Sequence, residues 1–257
     1  MNTLVETAFG AHPGRWPLPS AKTAEERWLR AVASGGQGRY ATAMAELEAL
    51  ARLQDGGPFQ ALALSTRASF LRQLGWHSHA RTWDGRALAG VDTDARADAL
   101  IGLAADALGV GRFPLSARLL ARAMEVVDAG ASPRLPVRLA WVRAELAMAT
   151  GDGAAAVGHA ERAVDLAGAL DSVRHAVKSD VVLAAALCCA GEPDRSRRVA
   201  DTALDAAEEY GLVPLTWALA CLLADVGSGS RGRSQIVAVR DDCAAAVHDR
   251  GGVWSNR

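Results

Sequence analysis

Residues 23–50 read TAEERWLRAVASGGQGRYATAMAELEAL, and this stretch decides the fold. Thr23 with Glu26 three residues later is a capping box, a hydroxyl and a carboxylate placed to satisfy the first free N–H groups of a helix. Apolar residues then recur at helical spacing from position 24 to about 35. Gly35-Gly36-Gln37-Gly38 breaks the pattern, and a second helical run starts at Tyr40 and continues to about Leu53. Two antiparallel helices joined so tightly need a corner residue that tolerates positive φ, which is what Gly38 supplies.

The hairpin recurs. Gly38, Gly75, Gly111, Gly151, Gly191 and Gly227 are separated by 37, 36, 40, 40 and 36 residues. Seven residues before each stands an alanine: Ala31, Ala68, Ala104, Ala144, Ala184 and Ala220. Five after come Ala43, Ala80, Ser116, Ala156, Ser196 and Gly232, and twelve after come Leu50, Ala87, Ala123, Ala163, Ala203 and Val239. Small side chains in register let helices cross closely. One hairpin cannot bury its apolar face alone, so a period of this size implies a stack of helical hairpins.

Composition agrees. Half of the 257 residues are apolar but only 5% are aromatic, so the core is built of Ala, Leu and Val, and no run alternates as a strand does. The net charge of −1 and the pI near 6.6 argue against a dedicated nucleic-acid or membrane-surface binder. Lysine occurs only at Lys22 and Lys178, an Arg bias that suggests a GC-rich coding sequence. No secretory leader or membrane span is expected. Cys188, Cys189, Cys221 and Cys243 lack metal-ligand spacing and read as reduced thiols of a cytoplasmic protein.

Along the chain, residues 1–21 hold Pro13, Pro17 and Pro19 and read as an irregular arm. Asp55-Gly56-Gly57-Pro58 ends the first unit. The third unit starts near Asp94, with Pro114 near the start of its second helix. Ser132 is expected to cap the next helix with Pro133 as its first residue, and Asp171 the fifth unit. The sixth unit starts near Pro214 and turns at 227–230, and a last helix covers about 234–249. The tail from Gly251 to Arg257 reads as loose apart from Trp254.

These residues resemble the tetratricopeptide repeat (TPR). Ala31, Gly38, Tyr40, Ala43, Leu47 and Leu50 carry the resemblance in unit one, and Ala104, Gly111, Phe113, Ser116, Leu120 and Ala123 in unit three. It covers about residues 24–226. The period here is 36–40 where the family's is 34, the aromatic after the turn is replaced by His77, Gly153, Pro193 and Gly229, and the closing proline is missing, so longer helices or linkers are expected. The resemblance implies an all-α, right-handed superhelix of five to six antiparallel hairpins, a TPR-like α-solenoid over residues 22–226, with a linker, capping helix and tail over 227–257.

The resemblance also implies that the first helix of each unit lines a concave groove. Positions two to three, six and ten before the turn glycine then face a partner. Unit two presents Ser65, Ser69, Arg72 and Gln73 there, a guanidinium beside hydroxyls and an amide that suits a carboxylate, a phosphate or a peptide backbone. Trp28, Trp141 and Trp217 recur at one position of their units, with Glu145 in unit four. The tryptophans read either as anchors for a partner or as packing between helices. The unit-two cluster reads either as a clamp or as a solvated face.

Other motifs carry less. Trp76-His77-Ser78-His79, with Trp83 and Asp84 a turn on, offers two metal-type ligands without a third and reads as a surface loop with a capping serine. Residues 227–232 match a dinucleotide fingerprint in form, but a helix precedes them where a strand is required. Their free N–H groups with Arg231 and Arg233 could hold an anion, and the default is a flexible linker. Arg195, Arg197 and Arg198 alternate with acids as a solvated face does. The expected function is a non-catalytic protein- or peptide-binding scaffold using the groove, without cofactor or metal, with a homodimer possible. The alternative is a sensory or regulatory module that binds a peptide or small ligand and acts on transcription or signalling through a partner, as related stacks do in bacterial regulators. RNA binding and enzymatic activity fit the charge and the open groove less well.

Overall fold

The structure, a computed structural model, describes residues 3–53, 57–90 and 92–255. Among these the chain forms thirteen helices and no strand. A short α1 (Thr3–Phe9) is followed by six antiparallel hairpins: α2 (Ala24–Gly36) with α3 (Tyr40–Ala51), α4 (Pro58–Gln73) with α5 (His77–Ala87), α6 (Thr93–Gly109) with α7 (Phe113–Asp128), α8 (Arg134–Ala149) with α9 (Gly153–Gly168), α10 (Val173–Cys189) with α11 (Pro193–Glu209), and α12 (Val213–Val226) with α13 (Arg233–Asp249). The first helices of successive hairpins touch one another and form an inner layer, and each second helix bridges to the next hairpin. No helix of the described residues is long and apolar enough to cross a membrane.

The register seen in the sequence is the register of the packing. All six turn glycines have φ between 72° and 88°. In the first five turns the glycine N–H bonds three residues back and the next N–H bonds five back, as in Gly111 to Leu108 at 2.9 Å and Arg112 to Ala107 at 2.8 Å. This pair of bonds satisfies carbonyls that a helix end otherwise leaves open. The six alanines seven residues before the glycines are all fully buried. The positions five after are buried in units one to five. Unit six departs: its second helix begins six residues after Gly227 rather than two, so the pattern slides by about one turn. Ile236 is buried where Gly232 was expected, and Gly232 lies exposed before the helix. The helix expected as a separate cap, α13, is thus the second helix of a sixth hairpin.

The caps follow sequence only in part. Thr23 and Glu26 form their capping box, with Glu26 N–H donating to Thr23 Oγ1 at 3.1 Å and Thr23 N–H to Glu26 Oε2 at 3.2 Å. Ser132 does not cap α8. The helix starts at Arg134 behind Pro133, and the Ser132 N–H instead donates to Asp94 Oδ1 at 2.8 Å. Ser172 rather than Asp171 precedes α10, and its hydroxyl is engaged by His175 Nδ1 at 2.7 Å. Asp55 and Gly56 lie outside the described residues; Gly57 and Pro58 open α4.

The two chain ends correct the expectations in part: the irregular arm begins with a helix, and the tail read as loose is held in place. Residues 3–9 are helical because Leu4, Thr7 and Ala8 share one face, and that face is buried. α1 packs on α2 and reaches α10, where the Val173 N–H donates to Gly10 O at 3.3 Å. Gln37 Nε2 holds the following residues through Pro13 O at 2.8 Å and Arg15 O at 3.1 Å. At the other end, Val247 of α13 sits in the same core cluster as Trp28 and Tyr40. The Ala41 N–H, a free donor at the start of α3, bonds to Arg250 O at 2.9 Å, and the Ser255 N–H bonds to Leu74 O at 2.8 Å. Trp76 Nε1 donates to Val253 O at 2.7 Å, and Trp254 packs on Trp217 with ring centroids 4.5 Å apart. The sixth hairpin therefore returns to the first, and the stack closes on itself.

Two glycine substitutions separate backbone strain from close approach. Gly151 has φ +80 and nothing within 4 Å of an added Cβ, so Gly151→Ala is expected to cost about 1–2 kcal/mol in urea unfolding. Gly102 lies inside α6, where an added Cβ would stand 2.2 Å from Asp84 Oδ2. Gly102→Ala is expected to cost about 3 kcal/mol or more, because it displaces a buried carboxylate from its partner. Equal losses in the two variants would contradict this assignment.

Candidate functional site

The return of the chain to its first units turns the concave groove into a partly open chamber of about 410 Å³. Its wall is the inner layer of first helices, joined by Phe9 from α1 and Trp254 from the tail. All eight residues picked out in the sequence lie in this wall: Trp28, Ser65, Ser69, Arg72, Gln73, Trp141, Glu145 and Trp217. A volume of this order suits a small molecule or a few residues of peptide and is too small for a folded partner.

The tryptophans serve the frame as well as the wall. Trp28 Nε1 donates to Thr66 Oγ1 at 2.9 Å, and Trp141 Nε1 donates to Ser179 Oγ at 2.9 Å. In each case the indole reaches the inner helix of the following unit, 38 residues on. Both rings are buried apart from an edge, whereas Trp217 is half-buried against Trp254. The unit-two cluster is also largely engaged within the protein. Ser65 is buried and donates to Leu62 O at 3.1 Å, and Gln73 links Tyr40 Oη at 3.0 Å to Ser69 Oγ at 3.4 Å.

Arg72 is held rather than free. Its Nη1 donates to Asp84 Oδ2 at 2.9 Å, Asp106 Oδ1 at 2.7 Å and Gly102 O at 3.1 Å. Burial opposes its charge, but the two aspartates outweigh burial and raise its pKa above the ordinary value. Two buried carboxylates then share one guanidinium. Burial pushes Asp84 up to about 7 against the pull of Arg72, so it holds its proton far more readily than a solvated aspartate. His77, the first of the expected metal-type ligands, lies with Nδ1 3.6 Å from Asp106 Oδ1, while His79 is exposed with its ring against Trp76. The two histidines thus point to different surroundings.

The strongest charges in the chamber lie one and two helical turns upstream of the positions read from the sequence. At 13 and 17 residues before the turn glycine, unit three carries Asp98 and Asp94, unit four Arg138 and Arg134, and unit five Lys178 and Arg174. Arg134 Nη1 donates to Asp98 Oδ2 at 2.8 Å, and Arg138 Nε lies 2.7 Å from Asp98 Oδ1 without hydrogen-bond geometry. Burial would raise the Asp98 pKa, but these two arginines hold it below the ordinary range. Lys178 Nζ lies 3.6 Å from Glu145 Oε1. His175 stacks on Trp141 with ring centroids 5.5 Å apart, and burial, then Arg174 and Arg138, depress its pKa well below 6.5, so it is neutral at pH 7. These cations were visible in the sequence: the two 40-residue intervals end at Gly151 and Gly191, and α8 and α10 extend the inner stripe in those two units.

The glycine-rich segment 227–232 is occupied by protein acids. Ser228 Oγ donates to Asp201 Oδ1 at 2.5 Å, the Gly229 N–H donates to Asp201 Oδ2 at 2.8 Å, and Arg231 reaches Asp205 and Glu208. The flexible linker and the weak anion site both give way to a loop tied to α11. Arg195 and Arg197 pair with Glu192 and Asp194 on the outer surface, as a solvated face does.

Two buried groups pull stability in opposite directions with pH. The Asp84 pKa is raised from 3.8 to about 7, so its unfolded form releases a proton first and stability is lost as pH rises through that window. The stability of the wild type relative to Asp84→Asn is therefore expected to fall between pH 4 and 7. The His175 pKa is depressed below 6.5, so the stability of the wild type relative to His175→Gln is expected to fall as pH drops below about 6.5. Urea unfolding across pH 4–8 checks both, and parallel curves for variant and wild type would contradict them. Asp106→Asn is expected to cost about 3 kcal/mol at pH 7, because it removes a carboxylate from Arg72.

No family model matches the chain, and no curated protein matches it. A solved structure that does match is a crystal structure of a Rap protein complexed with competence and sporulation factor, with a TM-score of 0.67 and 17% identity. The match covers 91% of this chain and 66% of that one, so this chain spans just under two thirds of that protein's length. At this identity the likeness is one of fold: the chain has a TPR-like, all-helical solenoid architecture.

Proposed function

We propose that this is a non-catalytic binding protein that takes a short peptide, or one end of a peptide, into the chamber. The observation that carries the reading is convergence. Inner helices of all six hairpins and both chain ends meet around one cavity of about 410 Å³, with aromatic walls and fixed polar groups. Such a cavity is the default place for a ligand. The neighbour of like fold was solved with competence and sporulation factor, which supports a ligand of this kind. The proposed partner is thus smaller than the extended protein segment that an open groove would accept.

A regulatory reading has its own support. The arm and the tail that close the chamber also carry wall residues, Phe9 and Trp254. A ligand that touches these rings changes the stability of the closure, and an altered arm or tail is a signal that a partner protein can read. In this reading the protein senses a peptide or small ligand and acts through that partner.

Affinity selection tests the binding reading. The protein is incubated with the peptide and small-molecule fraction of its native cells, re-isolated, and its retained compounds are identified by mass spectrometry. Ala105 lies in the chamber wall, and Ala105→Trp fills the space. The wild type is expected to retain a compound that the filled variant, folded by circular dichroism, does not. Equal retention by both would place binding elsewhere, and no retained compound would remove the reading.

A further inference from the structure

Arg174 differs from every other cation in the chamber. Arg72 has Asp84 and Asp106, Arg134 and Arg138 have Asp98 and Asp94 beside them, and Lys178 lies by Glu145. Arg174 makes no hydrogen bond or ion pair with any described residue; its one polar contact is with the face of Phe9, 5.7 Å from the ring centroid. The side chain is half-buried and lines the cavity. Its stem passes the end of α2 at Gly36, where an added Cβ would stand 3.1 Å from Arg174 Cδ. The bare glycine leaves room for this stem.

The repeat explains the missing partner. In units four and five the charged steps on the inner layer are answered by the unit before: Asp98 of unit three answers Arg134 and Arg138 of unit four, and Glu145 of unit four answers Lys178 of unit five. The position that would answer Arg174 in the preceding unit is itself a cation, Arg134 or Arg138. In the following unit the matching positions are Tyr210 and Pro214. Burial, then Arg138 and Arg134, lower the Arg174 pKa to about 10, which leaves it charged at neutral pH in surroundings that disfavour its charge.

We propose that Arg174 is the anchor for a carboxylate on the ligand, with the apolar body of that ligand against Phe9, Trp28, Trp141 and Trp217. This rests on the reading that the chamber takes a ligand, and it names the chemistry that is recognised. A guanidinium offers two parallel N–H donors matched to a carboxylate. One charge is left unanswered, because the other cations already have acids beside them, so a monoanion fits better than a dianionic phosphate. The carboxylate comes either from the free C-terminus of a short peptide or from a small organic acid; the group on Arg174 is the same.

The test uses purified full-length protein with two pairs of probes, the tripeptide Gly-Leu-Phe as free acid and as C-terminal amide, and 3-phenylpropionate with its primary amide. Binding is read by calorimetry in the wild type and in Arg174→Gln. At least one acid is expected to bind the wild type about tenfold or more tightly than its amide, and this preference is expected to vanish in Arg174→Gln. Preference in the tripeptide pair alone assigns the peptide terminus, and preference in the phenylpropionate pair assigns a small acid. No preference for either acid, or a preference that survives in Arg174→Gln, overturns the proposal. A second readout needs no ligand: Arg174→Met is expected to raise the melting temperature, because it removes an unanswered charge, whereas a clear fall would show that Arg174 is a structural cation. If Ala105→Trp abolishes retention of a native compound while the acid preference is absent, the chamber reading stands and this inference alone fails.

Discussion

The closeness of the helices at their crossings is the constraint on which the rest depends. Ala31, Ala68, Ala104, Ala144, Ala184 and Ala220 are all fully buried at equivalent points of the six inner helices. A larger side chain at any of them would push helices apart in a core packed as densely as a crystal. Turn glycines with positive φ then fold the second helix back without a longer loop in the first five hairpins. Tight steps accumulate, and with the sixth hairpin the end of α13 meets α3 and the tail reaches the second turn. The groove that a shorter or more open stack would present fully to solvent becomes a partly open chamber.

That interior explains why its polar residues are so carefully partnered. A guanidinium on an open groove is hydrated by water; in the chamber, acids beside Arg72, Arg134 and Arg138 offset the loss of that hydration. Asp84 and Asp106, buried behind the wall, serve Arg72, and Asp98, buried in the wall, serves Arg134 and Arg138. Gly102 is bare of a side chain where Asp84 passes. Tryptophan indoles spend their single donor on hydroxyls of the next unit, which ties successive inner helices together while keeping the apolar rings on the chamber. Frame and wall are therefore the same residues: Trp28 and Trp141 pack between helices, as one of their two readings had it, and also line the cavity.

The repeat, its helices and its turns were legible because they are local: positive φ, helical spacing and small crossing residues each act within about forty residues. The sixth unit was less legible because four extra residues after Gly227 slide its second helix by a turn. The arm and the tail were misread for a different reason. Their partners, such as Leu74 for Ser255 and Gly10 for Val173, lie more than 160 residues away in the chain, and no local pattern announces them. The eight wall residues were legible through the repeat at positions up to ten residues before the turn; Arg138, Arg134, Lys178 and Arg174 lie one and two turns further along the same stripe. What sequence alone leaves open is that Arg174 lacks an acid, since that depends on which units become neighbours.

Closure is the central claim, and amide hydrogen exchange tests it most directly. The N–H groups of Ala41 and Ser255 have no partner within their own hairpin or segment, and they are bonded only because the chain's end returns to its first two units. The account predicts that both exchange at least about a hundredfold more slowly than in an unstructured peptide. Exchange of both at the unstructured rate, with the helices around them still protected, would mean that the stack is open and that the chamber does not exist in solution.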